Sequence, residues 1–291
     1  MLNRIQALIK ESGIPQTASL PLSECTICRP HLLKREGIED VGTAILFIIP
    51  YYSEEGDTPH RNCSLYAVPR DYHLFIQKLA ESILPRLRAE FPNNRFALFS
   101  DHSPIDERTA SARAGLGVIG KNGLLITKEF SSLVFLGELI TDAQLAEDKP
   151  YTEEIPTCEN CGACLAACPL AQGKVSICLS QLTQKKGTLS EEEKQQISTF
   201  SSAWGCDICQ EVCPHTKAAK KNGTLQTPLP FFREQLLPCL TYDRISGMTD
   251  QAFSERAYAW RGRTVILRNL SILEQRNEQE EADASNESRN R

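Results

Sequence analysis

Hydrophobic positions along the chain fall into blocks that alternate between helical and strand-like spacing. The first twelve residues, opening Met1-Leu-Asn-Arg-Ile-Gln-Ala-Leu-Ile, form a short amphipathic helix with no signal-peptide core or cleavage site. Pro30-His-Leu-Leu-Lys-Arg-Glu-Gly reads as helical, and Thr43-Ala-Ile-Leu-Phe-Ile-Ile as a buried strand stopped by Pro50. After a polar loop over 53–62, Leu74, Ile76, Leu79, Ile83 and Leu87 mark roughly one face of a helix that Pro85 kinks or shortens. Arg95-Phe-Ala-Leu-Phe-Ser predicts a second strand, and 105–114 a helix. Gly123-Leu-Leu-Ile-Thr and Leu133-Val-Phe-Leu-Gly-Glu-Leu-Ile then read as a hairpin turning near Glu129 to Ser132.

The second half is patterned differently. Residues 143–157 are an acidic, proline-containing connector, 185–198 a polar insert, and the stretch after Pro214 is rich in proline and polar residues. Helical character returns around 249–259 and in a last helix, Val265 to Leu273. The final eighteen residues hold six acids and three arginines with almost no apolar residue, a composition that predicts disorder. The expected architecture is α+β: an α/β domain over 1–148, a cysteine-rich module over 149–230, a helical segment over 231–273 packing back on the core, and an acidic tail over 274–291.

Bulk composition changes little. With 291 residues, 41% hydrophobic and 24% charged, the chain has the make-up of an ordinary globular protein. Its longest apolar run, Ala44 to Pro50, is far shorter than a membrane span, and a cytoplasmic location is expected. A net charge of −5 gives no global attraction to nucleic acid, although Lys185, Lys186, Lys217, Lys220, Lys221, Arg261 and Arg263 offer a local basic patch whose alternative is solvated surface.

The twelve cysteines change the picture most. Their clustering points to metal rather than disulfides. Cys158-Glu-Asn-Cys161-Gly-Ala-Cys164-Leu-Ala-Ala-Cys168-Pro169 is C-x₂-C-x₂-C-x₃-C-P, the bacterial ferredoxin run. A second half, Cys206-Asp-Ile-Cys209-Gln-Glu-Val-Cys213-Pro214, is one cysteine short, and Cys178 makes up the count. Eight thiolates balance two [4Fe–4S] clusters. By the two-cluster rule, Cys158, Cys161 and Cys164 take Cys213, while Cys206 and Cys209 take Cys168 and Cys178. Cys25-Thr-Ile-Cys28 is a weaker signal, lacking both a thioredoxin context and a second pair for zinc.

Two low-potential clusters form an electron wire, so the first domain should hold the acceptor. Gly115-Leu-Gly117-Val-Ile-Gly120 matches a dinucleotide fingerprint, but it follows a helix and precedes a strand, the reverse of the required context. It reads as a helix C-cap and tight turn with close backbone approach. Asp71-Tyr72-His73 is half of the base-off cobalamin motif, with Ile76 where glycine is required. Asp101 follows the second strand and is either an acid or base at the strand end or an N-cap for the next helix.

In its ordered motifs the chain resembles the epoxyqueuosine reductase family, cobalamin-dependent iron–sulfur enzymes related to reductive dehalogenases. The resemblance runs from about residue 41 to 271 and rests on several stretches. They are Cys63 eight residues before Asp71-Tyr72-His73; Asp101-x-x-Pro-x-x-Glu-Arg; Ala114-Gly-Leu-Gly-x-x-Gly-Lys-Asn122; Phe130-Ser-Ser-x-Val-Phe-Leu-Gly-Glu-x-Ile-Thr; the eight cysteines with Cys178-Leu-Ser-x-Leu-Thr-Gln; Gly205-Cys-Asp-Ile-Cys-Gln; and Trp260-Arg-Gly with Arg268-Asn269. The resemblance implies a nitroreductase-like sheet with helices, a base-off cob(II)alamin held between that domain and the ferredoxin module, and clusters that reduce cobalt to Co(I). Epoxyqueuosine in tRNA then loses its epoxide oxygen as water. Asp101 matches the family's general acid, and a carboxyl beside a corrin should have a raised pKa. Cys63 matches a cofactor-contacting cysteine or is a small buried hydrophobe. Gly115, Gly117, Gly120, Lys121 and Asn122 supply a backbone that can lie against a flat macrocycle, with Asp101 also in contact.

The resemblance carries departures. The usual family member continues past Trp260-Arg-Gly into helical repeats that help hold tRNA, whereas this chain stops near Leu273 with an acidic tail. The alternatives are the same cofactors acting on a free nucleoside or other small electrophile, or an electron-transfer protein reducing a partner's corrinoid. A low-potential donor such as flavodoxin or ferredoxin is the expected electron source, and no membrane partner is expected.

Overall fold

The computed structural model describes residues 1–39, 41–145, 151–175 and 177–289, with side chains of the last helix described as far as Arg276. In chain order the principal elements are α1 (Leu2–Glu11), β1 (Thr17–Pro21), α2 (Pro30–Arg35), β2 (Thr43–Pro50), α3 (Tyr72–Glu90), β3 (Phe96–Phe99), α4 (Glu107–Arg113), β4 (Val118–Ile119), β5 (Leu125–Ile126) and β6 (Val134–Thr141). They continue with α5 (Ala163–Ala167), α6 (Leu179–Thr183), α7 (Glu191–Thr199), α8 (Ile208–Glu211), α9 (Pro214–Lys221), α10 (Tyr242–Ser246), α11 (Asp250–Ser254) and α12 (Arg263–Arg289). The chain forms two compact units. The first comprises Met1–Ser53, Tyr72–Gly162 and Cys213–Phe232; the second comprises Glu54–Asp71, Ala163–Val212 and Arg233–Arg291. The expected boundaries at 148, 230 and 273 are linear cuts, whereas these units interleave along the chain.

The first unit is built on a four-stranded sheet in the order β1-β2-β6-β3. Every neighbouring pair is antiparallel. All eight residues of β2 are buried, which explains an apolar run without alternation: the strand lies between β1 and β6 and has both faces covered. One face packs Leu20, Leu46, Ile48 and Ile140 against Ala110 and Ala112 of α4. Aromatic contacts order another part of the unit, where Phe135 of β6 stacks on Tyr72 at 4.0 Å and 9° and meets Phe232 at 6.0 Å. At the centre of the sheet Gly137 stands opposite Phe47, and a Cβ there comes within 2.5 Å of the Phe47 ring.

The hairpin expected over 123–141 does not form. β5 pairs with β4, while β6 pairs with β2 and β3; the connection between β5 and β6 closes only through an isolated Thr127–Ser131 bridge. The reason is length: β6 finds an eight-residue partner in β2, and the two-residue β5 offers no comparable ladder. β1, absent from the sequence reading, is an edge strand that ends in Pro21, where a missing N–H costs least.

The second unit packs short helices and the start of the long α12 around Trp204, Tyr258, Leu182, Ile197, Ile266 and Leu270. Two polar side chains tie its loops together. Asn269 Nδ2 donates to the carbonyls of Thr183 at 2.7 Å and Ala203 at 2.8 Å. Asp207, buried, accepts from Arg61 at 2.8 Å, Ser64 at 2.5 Å, the Leu65 amide at 2.7 Å and Gln210 at 3.0 Å. The last helix, α12, runs from Arg263 to Arg289, and Glu, Gln, Arg and Ala in its sequence favour that state. No helix among the described residues is long and apolar enough to cross a membrane.

Replacing Gly137 with alanine should push the Phe47 ring out of place and cost about 1–3 kcal/mol. Urea unfolding of the purified chain measures this as a lowered midpoint at unchanged slope.

Candidate functional site

β3 ends at Phe99 and delivers Ser100 to Pro104 as a short loop, the segment in which a carboxylate was expected. Ser100 Oγ donates to the Leu136 carbonyl at 2.5 Å, anchoring the loop's start to β6. Asp101 then adopts φ +63°, a left-handed conformation that aspartate tolerates better than most residues. Its side chain is exposed, and its amide donates to Glu107 Oε1 at 3.1 Å. Ser103 is buried: its hydroxyl donates to Glu138 Oε1 and accepts from the Ile105 amide at 3.1 Å, and its carbonyl accepts from Arg29 at 2.8 Å. The capping alternative for Asp101 falls away, because Asp106 caps α4 by accepting from the amides of Arg108 and Thr109.

Two carboxyls that the sequence reading quoted without a role surround this loop. Glu138 lies fully buried in β6, and burial, followed by the charge of Glu107, holds its pKa well above the usual carboxylate range. Burial likewise pushes the Glu107 carboxyl up to about 7, helped by Asp101 and Asp106 and opposed by hydrogen bonds from Glu138 and the Asp101 amide. The available sequence signal for Glu138 was a lone acid inside an apolar strand, Phe135-Leu-Gly-Glu138-Leu-Ile.

The glycine-rich stretch divides between the two ends of α4. Gly115, at φ +83°, closes the helix: its amide bonds to Ala112 and that of Leu116 to Ser111, as a Schellman C-cap requires. A Cβ at Gly115 meets nothing within 4 Å, whereas one at Gly117 comes within 2.5 Å of the Ile126 carbonyl. Gly117 is therefore fixed by the β4–β5 approach, and Gly115 leaves an open backbone surface. Gly120, Lys121 and Asn122 belong to the opposite end, where Arg108 Nη1 donates to the Gly123 carbonyl at 3.0 Å. The first turn of α4 thus holds the Asp101 loop through Glu107 and the Gly120–Gly123 turn through Arg108. Lys121 is exposed beside it, and Asn122 Oδ1 accepts from the Leu124 amide at 3.3 Å.

The cysteine runs carry the local geometry of cluster loops. In Cys158–Cys161 and its continuation, Asn160 and Gly162 adopt φ +65° and +77°, curling the backbone as in anion-binding nests. The amide of Cys158 is fixed to the Ile119 carbonyl at 3.0 Å. Cys164 lies in α5, Cys168 just beyond it, Cys178 caps α6, Cys209 lies in α8 and Cys213 caps α9. Within the second unit burial pushes the Cys206 thiol up to about 12, opposed by the Ile208 amide that donates to its sulfur. None of the eight cysteines is in a disulfide, and all except the buried Cys213 are at least partly accessible. Among the described residues no three side chains converge as a single-ion site. A four-iron cube asks for something else, one thiolate at each of four separate irons, and an all-thiol set with amide donors to sulfur suits it.

Other candidates resolve differently. Cys63 is only 2% exposed, and its Sγ lies 3.7 Å from the carbonyls of both Leu237 and Pro238. Cys25 is buried, its thiol pushed up to about 12 by burial and then by Glu138, while Cys28 is exposed; both are free thiols. In the basic patch, Lys185 pairs with Glu193 at 2.6 Å, Arg263 with Asp250 at 3.0 Å, and Arg261 stacks over Trp260 at 3.8 Å.

Residues 157–216 match the family described as the 4Fe-4S double cluster binding domain, a span that holds all eight cysteines. Over 254 residues the chain is 31% identical to an epoxyqueuosine reductase of Lactococcus garvieae, taking in 82% of this chain and 70% of that one. An epoxyqueuosine reductase of Bacillus cereus is 34% identical over 215 residues, or 70% of this chain and 54% of that protein. Among solved structures, epoxyqueuosine reductase from Streptococcus thermophilus aligns with a TM-score of 0.70 at 24% identity, covering 94% of this chain and 80% of its own. A crystal structure of epoxyqueuosine reductase with a tRNA-Tyr epoxyqueuosine-modified stem loop aligns with a TM-score of 0.72 at 22% identity, with coverage of 94% and 80%. These likenesses establish the α+β fold with its double-cluster domain.

The two aspartates at the start of α4 should separate cleanly. Asp106→Ala removes a helix cap and should cost about 1 kcal/mol in denaturant unfolding. Asp101→Asn, which keeps a residue suited to the left-handed region, should change stability by less than about 0.5 kcal/mol.

Proposed function

This chain belongs to the epoxyqueuosine reductase family, and from that premise we propose that it is a cobalamin- and iron–sulfur-dependent reductase converting epoxyqueuosine to queuosine in tRNA. The overall change is an epoxide plus two electrons and two protons giving an alkene and water. The observation that carries the reading is the Asp101 loop: an exposed carboxyl, directly after a core strand, held by hydrogen bonds at Ser100, at its own amide and at Ser103. An acid so placed can deliver a proton to the departing oxygen without reorganising its support.

A base-off corrinoid, when bound, would supply the electron pair, renewed by the two clusters. Asp101, Gly120, Lys121 and Asn122, gathered at the start of α4, are the residues assigned to face it. Gly115 adds open backbone at the far end of that helix, and Gly117 serves the β4–β5 approach. Cys63 is assigned to packing, because its sulfur is already enclosed by its own unit. Cys168, Cys178, Cys206 and Cys209 hold one cluster, and Cys158, Cys161, Cys164 and Cys213 the other. The electron source is a low-potential donor of the flavodoxin or ferredoxin kind, and the working location is the cytoplasm.

The stem-loop complex of the relative supports tRNA as the substrate. A smaller substrate, a free nucleoside carrying the same epoxide, is the second reading. It is favoured by the net charge of −5 and by basic side chains already committed to Glu193 and Asp250. Queuosine content of tRNA in a deletion strain lacking any other such reductase separates the two.

Asp101→Asn should retain iron and the corrinoid spectrum while losing nearly all turnover in an anaerobic assay; full activity sinks the proton-donor assignment. Cys178→Ala should lose about half the iron, the loss expected from one of two four-iron clusters.

A further inference from the structure

We propose that Glu107 and Glu138 are a positioning pair that shares one proton and, by gripping the Asp101 loop at two points, sets where the Asp101 carboxyl stands. The proposal rests on the reading of Asp101 as proton donor.

Glu138 is 0% exposed at the middle of the sheet, where its cross-strand partners are Leu46 of β2 and Phe99 of β3. Its Oε1 accepts from the Ser103 hydroxyl, but Oε2 is buried and finds no conventional donor. A carboxylate in that setting leaves one oxygen unsatisfied in a medium that penalises charge. A carboxylic acid does not: protonated, Oε2 becomes a donor, and the acceptor within reach is the Glu107 carboxylate. Glu107 in turn accepts from the Asp101 amide at 3.1 Å. The result is one continuous chain in which Ser103 donates to Glu138, Glu138 to Glu107, and the Asp101 amide to Glu107. Both ends of the Asp101–Ser103 segment are held by a single two-carboxyl unit carrying one negative charge.

The surroundings favour one proton. The charged groups acting on Glu107 are Asp101 in the loop and Asp106 at the helix cap, both acidic, and the group acting on Glu138 is Glu107 itself. The Cys25 thiol feels Glu138 and is itself raised, so it adds no charge at neutral pH. Arg29 is engaged with the Ser103 carbonyl and Arg113 with Glu24, and His102 lies in the exposed loop. With no cation in the pair, a second ionisation puts like charges on adjoining oxygens, those of Glu138 fully buried, and loosens the grip. Glu107 and Glu138 both have folded-state pKa values raised above those of an unfolded chain. The folded state therefore binds more protons between the ordinary carboxylate range and about 7, and stability falls as pH rises through that window.

Glu138→Gln tests the pair, because an amide still accepts from Ser103 and donates to Glu107 but has no proton to lose. Infrared spectra of the wild-type protein with its clusters in place, at mildly acidic pH, should show a buried carboxylic-acid carbonyl band that disappears on alkaline titration and is missing in Glu138→Gln. Wild-type unfolding temperature should fall as pH rises through the window, and the variant should fall less. In turnover assays the variant should keep its activity at mildly acidic pH while the falling alkaline limb of kcat moves up by about one unit. Glu138→Leu should lower kcat roughly 10–100-fold with KM little changed, as expected for a displaced reacting group. Absence of the acid band from wild type, or a wild-type pH profile in Glu138→Gln, overturns the proposal. Failure of the donor reading registers separately, as full activity of Asp101→Asn whatever the infrared result.

Discussion

A carboxyl at the centre of an antiparallel sheet is the constraint around which the candidate site is arranged. β6 lies between β2 and β3, and Glu138 points into a layer that is otherwise apolar. A residue of that kind is tolerable only if its oxygens are satisfied, and the groups that satisfy them come from the loop after β3 and the first turn of α4. Core burial and site geometry are therefore one problem here. The fold cannot relax the Asp101 loop without exposing an unmet polar atom in its own interior.

The second unit meets a similar difficulty with Asp207 and solves it by other means. Its carboxyl is surrounded by four donors, including the Arg61 guanidinium, which offset the cost of burying it. Burial still raises its pKa, with Arg61 the strongest opposing influence. Asp207 sits between Cys206 and Ile208, so the hydrogen bonds that satisfy it also fix the backbone from which the Cys206 sulfur and its Ile208 amide donor project.

How much of this was legible in the sequence depended on whether the signal was local. The cysteine spacing, the β2 run, the placement of Asp101 at a strand end and the refusal of Gly115–Gly120 as a nucleotide loop all follow from short-range pattern. The signal for α7 was local too but went unread: Ser190 and Glu193 form a capping box inside a stretch read as a polar insert. Strand partnership was not local: whether β6 folds back on β5 or joins β2 depends on the length of ladder available elsewhere. β1 carries Thr, Ser and Pro in five residues and becomes a strand only because β2 presents an edge. The role of Glu138 was invisible for the same reason, since its partners lie thirty or so positions away along the chain yet adjoin it in space.

The sheet of the first unit is complete in sequence by Thr141, yet one side of it waits for much later residues. Phe75 and Phe135 are met by Phe232, Thr227 donates to the Pro50 carbonyl at 2.6 Å, and Ser131 bonds Thr216 at 2.7 Å. On the ribosome, where chains grow at roughly 5–20 residues per second, those positions emerge several seconds after the strands they cover. Every cysteine of the cluster runs has been made by then, so the aromatic face of the nascent sheet stays open throughout the interval in which those thiols first become available.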